Sequence, residues 1–580
     1  MDMNTYDEPT VPWQDGQPQP EQSDQPSGQT SWEQPTLNMP HDEPTLRLSP
    51  VQTVPLQQEA LVQDNIGIQD NTGIAVAPPP QKKPLSRRKL FGAVALGAGA
   101  AVVGGVGLAE AWQHGAFNSL THGPIASNMQ IGHLLRKAGF GTSAQDMALY
   151  QSLGFEGSVD RLLNYQQVND NAMEGRLNAL NLQLSGRGPA IANIQRWWIL
   201  RMAWTQRPLL EKMTLFWHGV LTSSFAKAGG IYAAERMLNQ NNFLRAHAFD
   251  TFDNILLGIT ADPAMLFYLD LTTSHKNSPN ENYARELMEL FTVGVANYTQ
   301  QDVFGGAASL TGWHITGPIS SRYNPRDHND LVKNFMGQRG NFDYKDIIRI
   351  LTNNPAAPWF IMHRLFTFFG YENPSNEDLS PLVDTYVKSG HNMGAVMRTL
   401  LLSPQFSSSK AYRSRLKSPT EFVVGAYRGL DMQGSGQNLQ NVTTLLGQQL
   451  FNPPNVAGWP GDKVSSNWLN SGTWMNRLNY IDLLLVSRNK KAGIQPLDLQ
   501  SVIDANKIDS PERFVDYYAS FLLDGNITST TRDQLVSYFT GNSSGRSNPR
   551  ITLTNGKSYP LSDVRGTLYL LMSAPEYHLN

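Results

Sequence analysis

The feature that most limits what this chain can fold into is a stretch of twenty residues without a charge, Leu90 to Ala109. That length suits a membrane-spanning helix. Six of the twenty are glycine and most of the others are Ala or Val, so the segment is only weakly hydrophobic for a permanent span. A basic cluster, Lys82, Lys83, Arg87, Arg88 and Lys89, stands before it, and no Lys or Arg follows until Arg136. Ser86-Arg87-Arg88-Lys89-Leu90-Phe91 resembles the twin-arginine export signature, and Ala109-Glu110-Ala111 fits a small-x-small cleavage site. The charge asymmetry predicts that everything before the segment stays in the cytoplasm and everything after it crosses. The expected partners are therefore the twin-arginine translocase and, through residues 90–109, the cell membrane. Cleavage after Ala111 would release a secreted protein. It would also discard a long N-terminal tail, which favours a retained anchor.

The two sides of this segment differ. Residues 1–80 hold thirteen prolines, twelve glutamines, twelve acidic residues and one basic residue, Arg47. With few large apolar residues and no period, they cannot bury enough surface to offset ordering, and disorder is expected. The tail carries −11 of charge and the remaining 500 residues carry +8, so the overall −3 is a sum of unlike parts. The absence of cysteine excludes a disulfide scaffold, a thiolate metal site and a thiol nucleophile. It also suits a domain that folds before export. The expected organisation is a tail at 1–80, a signal or signal-anchor at 81–111, a linker at 112–127 and a folded domain at 128–580.

That domain reads as mainly α, a large multi-helix array with long irregular loops and little β structure. Arg196–Met202 opens an apolar helix. After Pro208, Leu209, Met213, Phe216 and Trp217 recur at helical spacing. Tyr344–Leu351 and Pro358–Phe369 form a helix pair split at Asn353-Asn354-Pro355, and Val396–Leu402 is another helix. The best strand candidate is Ile551–Leu553, beside an Asn-Gly turn at 555–556.

The segment Ser278 to Phe291 carries the densest polar pattern. Ser278 and Glu281 have the spacing of a capping box, with Pro279 at the first helical position. Glu281, Arg285 and Glu289 then follow at i, i+4 and i+8 as an ion-pair ladder. Two readings stay open: a solvated charged face, or Asn282, Arg285 and Glu286 turned into a cleft as catalytic groups.

The run Asn280 to Thr292, with Tyr298-Thr299, Asp302-Val303 and Leu310-Thr311-Gly312-Trp313 after it, resembles the DUF1800 family. Collinear blocks agree: His133–Gly141, Phe216-Trp217-His218, His328 through Phe335-Met336-Gly337, Leu416–Pro419 and Leu450–Gly461. Val220 stands where that family often has a second histidine. The resemblance implies a largely helical exported bacterial protein, often encoded beside an exported DUF1501-like protein, a candidate partner. It implies no reaction.

Beyond the motif, His218, His328 (in the polar loop Arg326-Asp327-His328-Asn329-Asp330) and Glu281 are the candidate ligands for a divalent metal, with His314, directly after Trp313, and Glu286 as further members of the set. Trp459 and Asn455, in a Pro/Gly/Asn-rich loop, are candidate binding residues with Trp313 and Arg136. No Walker A, dinucleotide fingerprint or nucleophile elbow is present, and the dispersed basic charge does not indicate nucleic acid. The expected function is a cell-envelope interaction or scaffold protein. The alternative is an exported, metal-assisted hydrolase of an envelope or extracellular polymer.

Overall fold

Among the described residues two helices have no solvent-facing side. Every residue of Pro419–Gly429, and every residue of Pro208–Val220 except Gly219, is buried. A helix such as Leu-Leu-Glu-Lys-Met-Thr-Leu-Phe-Trp, buried on every side with its Glu and Lys paired inside, can only be satisfied at the centre of a helical array. The computed structural model describes residues 124–580 apart from 187, 189, 487–494 and 542–548, and there these two helices occupy the middle. They are tied by a buried ion pair between Lys212 and Glu421. The tail, the twin-arginine run and the apolar segment 90–109, with Arg87, Arg88, Ala109 and Ala111, lie outside the described residues. Among the described residues no helix is long and apolar enough to cross a membrane.

The described chain is mainly helical. Helices appear where apolar period and punctuation predict them: Ile191–Trp204, Tyr344–Thr352, Ala356–Phe369 and Met393–Leu401. Five helices open on full capping boxes, Ser143 with Asp146, Thr299 with Asp302, Asp343 with Asp346, Ser375 with Asp378, and Ser418 with Glu421. In four of these the acidic residue also reaches another part of the molecule, Asp378 through Tyr371 and Lys410. Asp146 accepts from Arg428 Nη2 at 3.1 Å, Asp302 accepts the Met336 N–H at 2.6 Å, and Glu421 binds Lys212.

Among the described residues three two-stranded antiparallel ribbons interrupt the helices. Arg550–Thr552 pairs with Ser558–Pro560, as the Asn-Gly turn predicts. Trp313–Ile315 pairs with Ser321–Tyr323, and Lys333–Phe335 with Gln338–Gly340. One continuous core runs through the helices, including Trp198, Trp217, Phe252 and Tyr283. A small second cluster holds Leu416, Trp459, Trp468 and Leu579.

Candidate metal centre

The segment 278–292 begins differently from its capping-box spacing. Ser278 pairs through its backbone with His275, and the helix starts only at Asn282, whose N–H is accepted by Asn280 Oδ1 at 3.0 Å. Glu281 occupies the cap position without a side-chain cap. The Ser278–Glu281 box is therefore not formed, because the Ser278 backbone is already engaged by His275. After Glu286 the helix widens into a π-turn over Leu287–Thr292. This breaks the i, i+4, i+8 ladder. Arg285 binds Glu281 at 3.1 Å and Gln300 at 3.0 Å, while Glu289 accepts from the Tyr298 hydroxyl instead.

The three proposed catalytic residues have separate surroundings. Asn282 donates to Asp270 at 2.7 Å, which Lys227 also binds at 2.9 Å. Arg285 is held by Glu281 and Gln300. Glu286 is half-buried, and burial first, then the Glu289 carboxylate, raise its carboxyl above the usual range.

The proposed ligands His218, His328 and Glu281 are not brought together. His218 is buried against Trp198, Phe451 and Trp459, and its Nε2 accepts the Phe451 N–H at 3.1 Å. Burial lowers its pKa to about 3, so it is a neutral core imidazole. His328 is buried too, with Nδ1 3.3 Å from the Thr311 carbonyl and Nε2 3.4 Å from Lys333 Nζ. Burial and the Lys333 charge hold its pKa down. Glu281 serves Arg285.

The binding candidates are also structural. Trp313 is buried against Tyr323 and Tyr344, and Trp459 is buried against His218. Neither offers a free ring face. Arg136 is buried on Asp524, and Asn455 turns its own loop by accepting the Ala457 N–H at 2.9 Å. The Pro/Gly-rich loop is a packing device: an added Cβ on Gly461 would lie 2.2 Å from Trp468 Cε2. Gly461→Ala is expected to cost about 1–3 kcal/mol by overpacking, seen as a lower denaturant midpoint at unchanged slope.

A different trio does converge. His275, His314 and Asp327 place their ligand atoms within 4.8 Å of one another, the one such group among the described residues. His275 Nδ1 lies 2.8 Å and His314 Nε2 2.9 Å from Asp327 Oδ2. Three local devices fix it. Asp270, in the left-handed region at φ 62°, turns the chain into the loop that bears His275. Strand alternation sends Trp313 into the core and its neighbour His314 to the other face. Asp327 ends the 3₁₀ turn Pro325–Asp327, whose start is held by Asn324 Oδ1 accepting the Arg326 N–H at 3.1 Å. At the ribbon's foot Gly312 adopts φ 103°, and a Cβ there would press on the Asn324 carbonyl at 3.0 Å.

The electrostatics suit a cation. Asp327 stays below the usual carboxylate range, chiefly through the hydrogen bond from His275. Its Oδ1 accepts the Lys276 N–H at 3.2 Å, which leaves Oδ2 for the two imidazoles. His314 Nε2 is buried and close to Asp327, yet it makes no aligned hydrogen bond. Two imidazoles and one carboxylate form a ligand set used for zinc or ferrous iron. A tetrahedral ion with bonds of about 2.1 Å needs ligand atoms about 3.4 Å apart, so each imidazole would have to draw back from Asp327 Oδ2 by about half an ångström to receive one. His275 and His314 are partly exposed, at 49% and 39%, so one side of the site opens to solvent.

Sequence reasoning noted His314 and the loop of Asp327 without joining them, and it passed over His275. The three stand 39 and 13 residues apart in the chain, with no short motif to link them. The available signal was His275 directly upstream of the polar segment at 278.

Fold and site together define a mainly helical protein bearing an open centre of two histidines and a carboxylate. No curated protein and no solved structure matches the chain. The chain belongs to the DUF1800 family: the model described as "Protein of unknown function (DUF1800)" matches residues 133–579.

Proposed function

We propose that this protein is an exported, metal-dependent hydrolase acting on an envelope or extracellular polymer. The observation that carries the reading is the convergence of His275, His314 and Asp327 at a solvent-facing site. Three protein ligands with one open side are the arrangement of catalytic rather than structural zinc. A divalent ion held so acts as a Lewis acid and lowers the pKa of a bound water. The scaffold reading has no comparable observation behind it. Export through the twin-arginine translocase, membrane retention through residues 90–109 and association with a DUF1501-like protein remain proposals beside this one. The N-terminal residue and membrane partition of the mature protein test the first two.

The metal is tested directly. Untagged protein is expected to carry one divalent ion per chain by elemental mass spectrometry. The His275→Ala/His314→Ala double variant should hold at least tenfold less while keeping its helical circular dichroism, since these side chains are exposed enough to remove without opening the core. Wild-type protein that is folded, metal-free and unable to take up zinc on dialysis would refute the reading.

A further inference from the structure

The strand register places one more charged group beside this centre. In the ribbon Trp313–Ile315/Ser321–Tyr323, His314 is paired directly with Arg322. Residues opposite each other in an antiparallel pair project from the same face, with Cβ atoms about 5 Å apart. Arg322 is exposed, and among the described residues no hydrogen bond or ion pair engages its guanidinium. Arg326, next to Asp327, is likewise exposed and uses only its backbone N–H, toward Asn324.

The neighbouring charges are otherwise spent. Lys276 is paired with Asp330 at 3.0 Å and Lys227 with Asp270 at 2.9 Å, so each lysine cancels an acid. Asp327 is committed to the two histidines. With a divalent ion bound, one carboxylate, Arg322 and Arg326 leave a net charge of about +3 around the open face. An uncharged sugar or peptide link would leave these two arginines without a role. A dianionic group would satisfy both, because guanidinium forks match phosphoryl oxygens two at a time.

We infer that the substrate carries a phosphoryl group, a phosphate monoester held between the bound metal ion and Arg322, with Arg326 assisting. This rests on the metal-dependent reading above and names its substrate class. The reaction is hydrolysis: the oxygen of water forms a new bond to phosphorus, the ester P–O bond breaks, and the alcohol leaves with a proton as inorganic phosphate is released.

The test uses zinc-loaded full-length protein, with metal content measured on the same samples and inorganic phosphate as the probe in titration calorimetry. Phosphate is expected to bind, and acetate at equal concentration to bind at least tenfold more weakly. Arg322→Ala should weaken phosphate binding at least tenfold with the metal stoichiometry unchanged, and Arg322→Lys should recover part of it. One ion per chain with no phosphate binding, or with equal binding to wild type and Arg322→Ala, overturns the substrate class and leaves the metal centre standing. Acetate binding as tight as phosphate overturns it in favour of a carboxylate site. Protein that takes up no zinc removes both readings together.

Discussion

Glu211→Gln is expected to destabilise the protein by about 3–5 kcal/mol at neutral pH, the cost of breaking a buried ion pair from one side. Glu211 is 1% exposed and is the carboxylate on which three groups of the core converge. Trp198 Nε1 donates at 2.9 Å, Arg201 Nε at 2.8 Å, and Arg245 through Nε at 2.6 Å and Nη2 at 3.0 Å. A glutamine would turn an amide N–H₂ toward a guanidinium and leave the buried Arg245 charge without a counter-charge, while Arg201 keeps Glu174. The effect carries a pH signature. Burial alone would raise the Glu211 pKa, but Arg245 and Arg201 outweigh it and lower the value from 4.5 to about 2. A depressed carboxyl contributes stability that is complete above pH 4.5 and is lost as pH falls toward 2, on the order of 3 kcal/mol here. The gap between wild type and Glu211→Gln, measured by urea unfolding, should therefore narrow between pH 5 and pH 2.5. A gap that does not change with pH would show that the charge on Glu211 is not what stabilises the core.

Asp524→Asn is the second large effect, again about 3–5 kcal/mol. Asp524 is 4% exposed and binds Arg136, the Tyr412 hydroxyl at 2.9 Å and Arg413 at 3.6 Å. It also sits at φ 57°, where asparagine is the tolerated replacement and alanine would add backbone strain. The partner matters as much as the acid. Arg136→Met removes one of the two guanidiniums that Asp524→Asn strands, so the double variant should be more stable than the sum of the single losses predicts by at least about 1 kcal/mol. Recovery will be partial because Arg413 remains. Strict additivity in this cycle would mean that Arg136 and Asp524 do not depend on each other.

Helices announced by apolar period and punctuation appear at their expected places, because local physics decides them: Tyr344–Thr352 and Ala356–Phe369 part at Asn353-Asn354-Pro355. The ribbon at Arg550–Thr552 follows from its Asn-Gly turn. The ribbon bearing His314 has only three residues per strand and was missed, since so short a strand carries almost no alternation. The candidate site failed for a different reason. Asn282, Arg285 and Glu286 share a helical arc, but partners remote in sequence, Asp270 for Asn282 and Gln300 for Arg285, claim two of them. His218 looked like a ligand because histidine often is one; only burial beside Trp198 and Trp459 reveals it as core. Convergence of three residues from separate loops is a tertiary fact, and no spacing encodes it.

The acids of the capping boxes at Ser143, Thr299 and Ser418 bear on how the molecule breathes. A helix end normally frays on its own at little cost, exposing its first amides to exchange. Here Asp146, Asp302 and Glu421 each close a helix and grip a distant group, Arg428, the Met336 amide or Lys212. The first turn cannot unwind without releasing that group, so secondary and tertiary structure open together. Amides at these three helix starts should exchange with deuterium among the slow, globally protected set. Those at the start of Tyr344–Thr352, whose cap acid Asp346 pairs with Arg349 of the same helix at 3.1 Å, should exchange early.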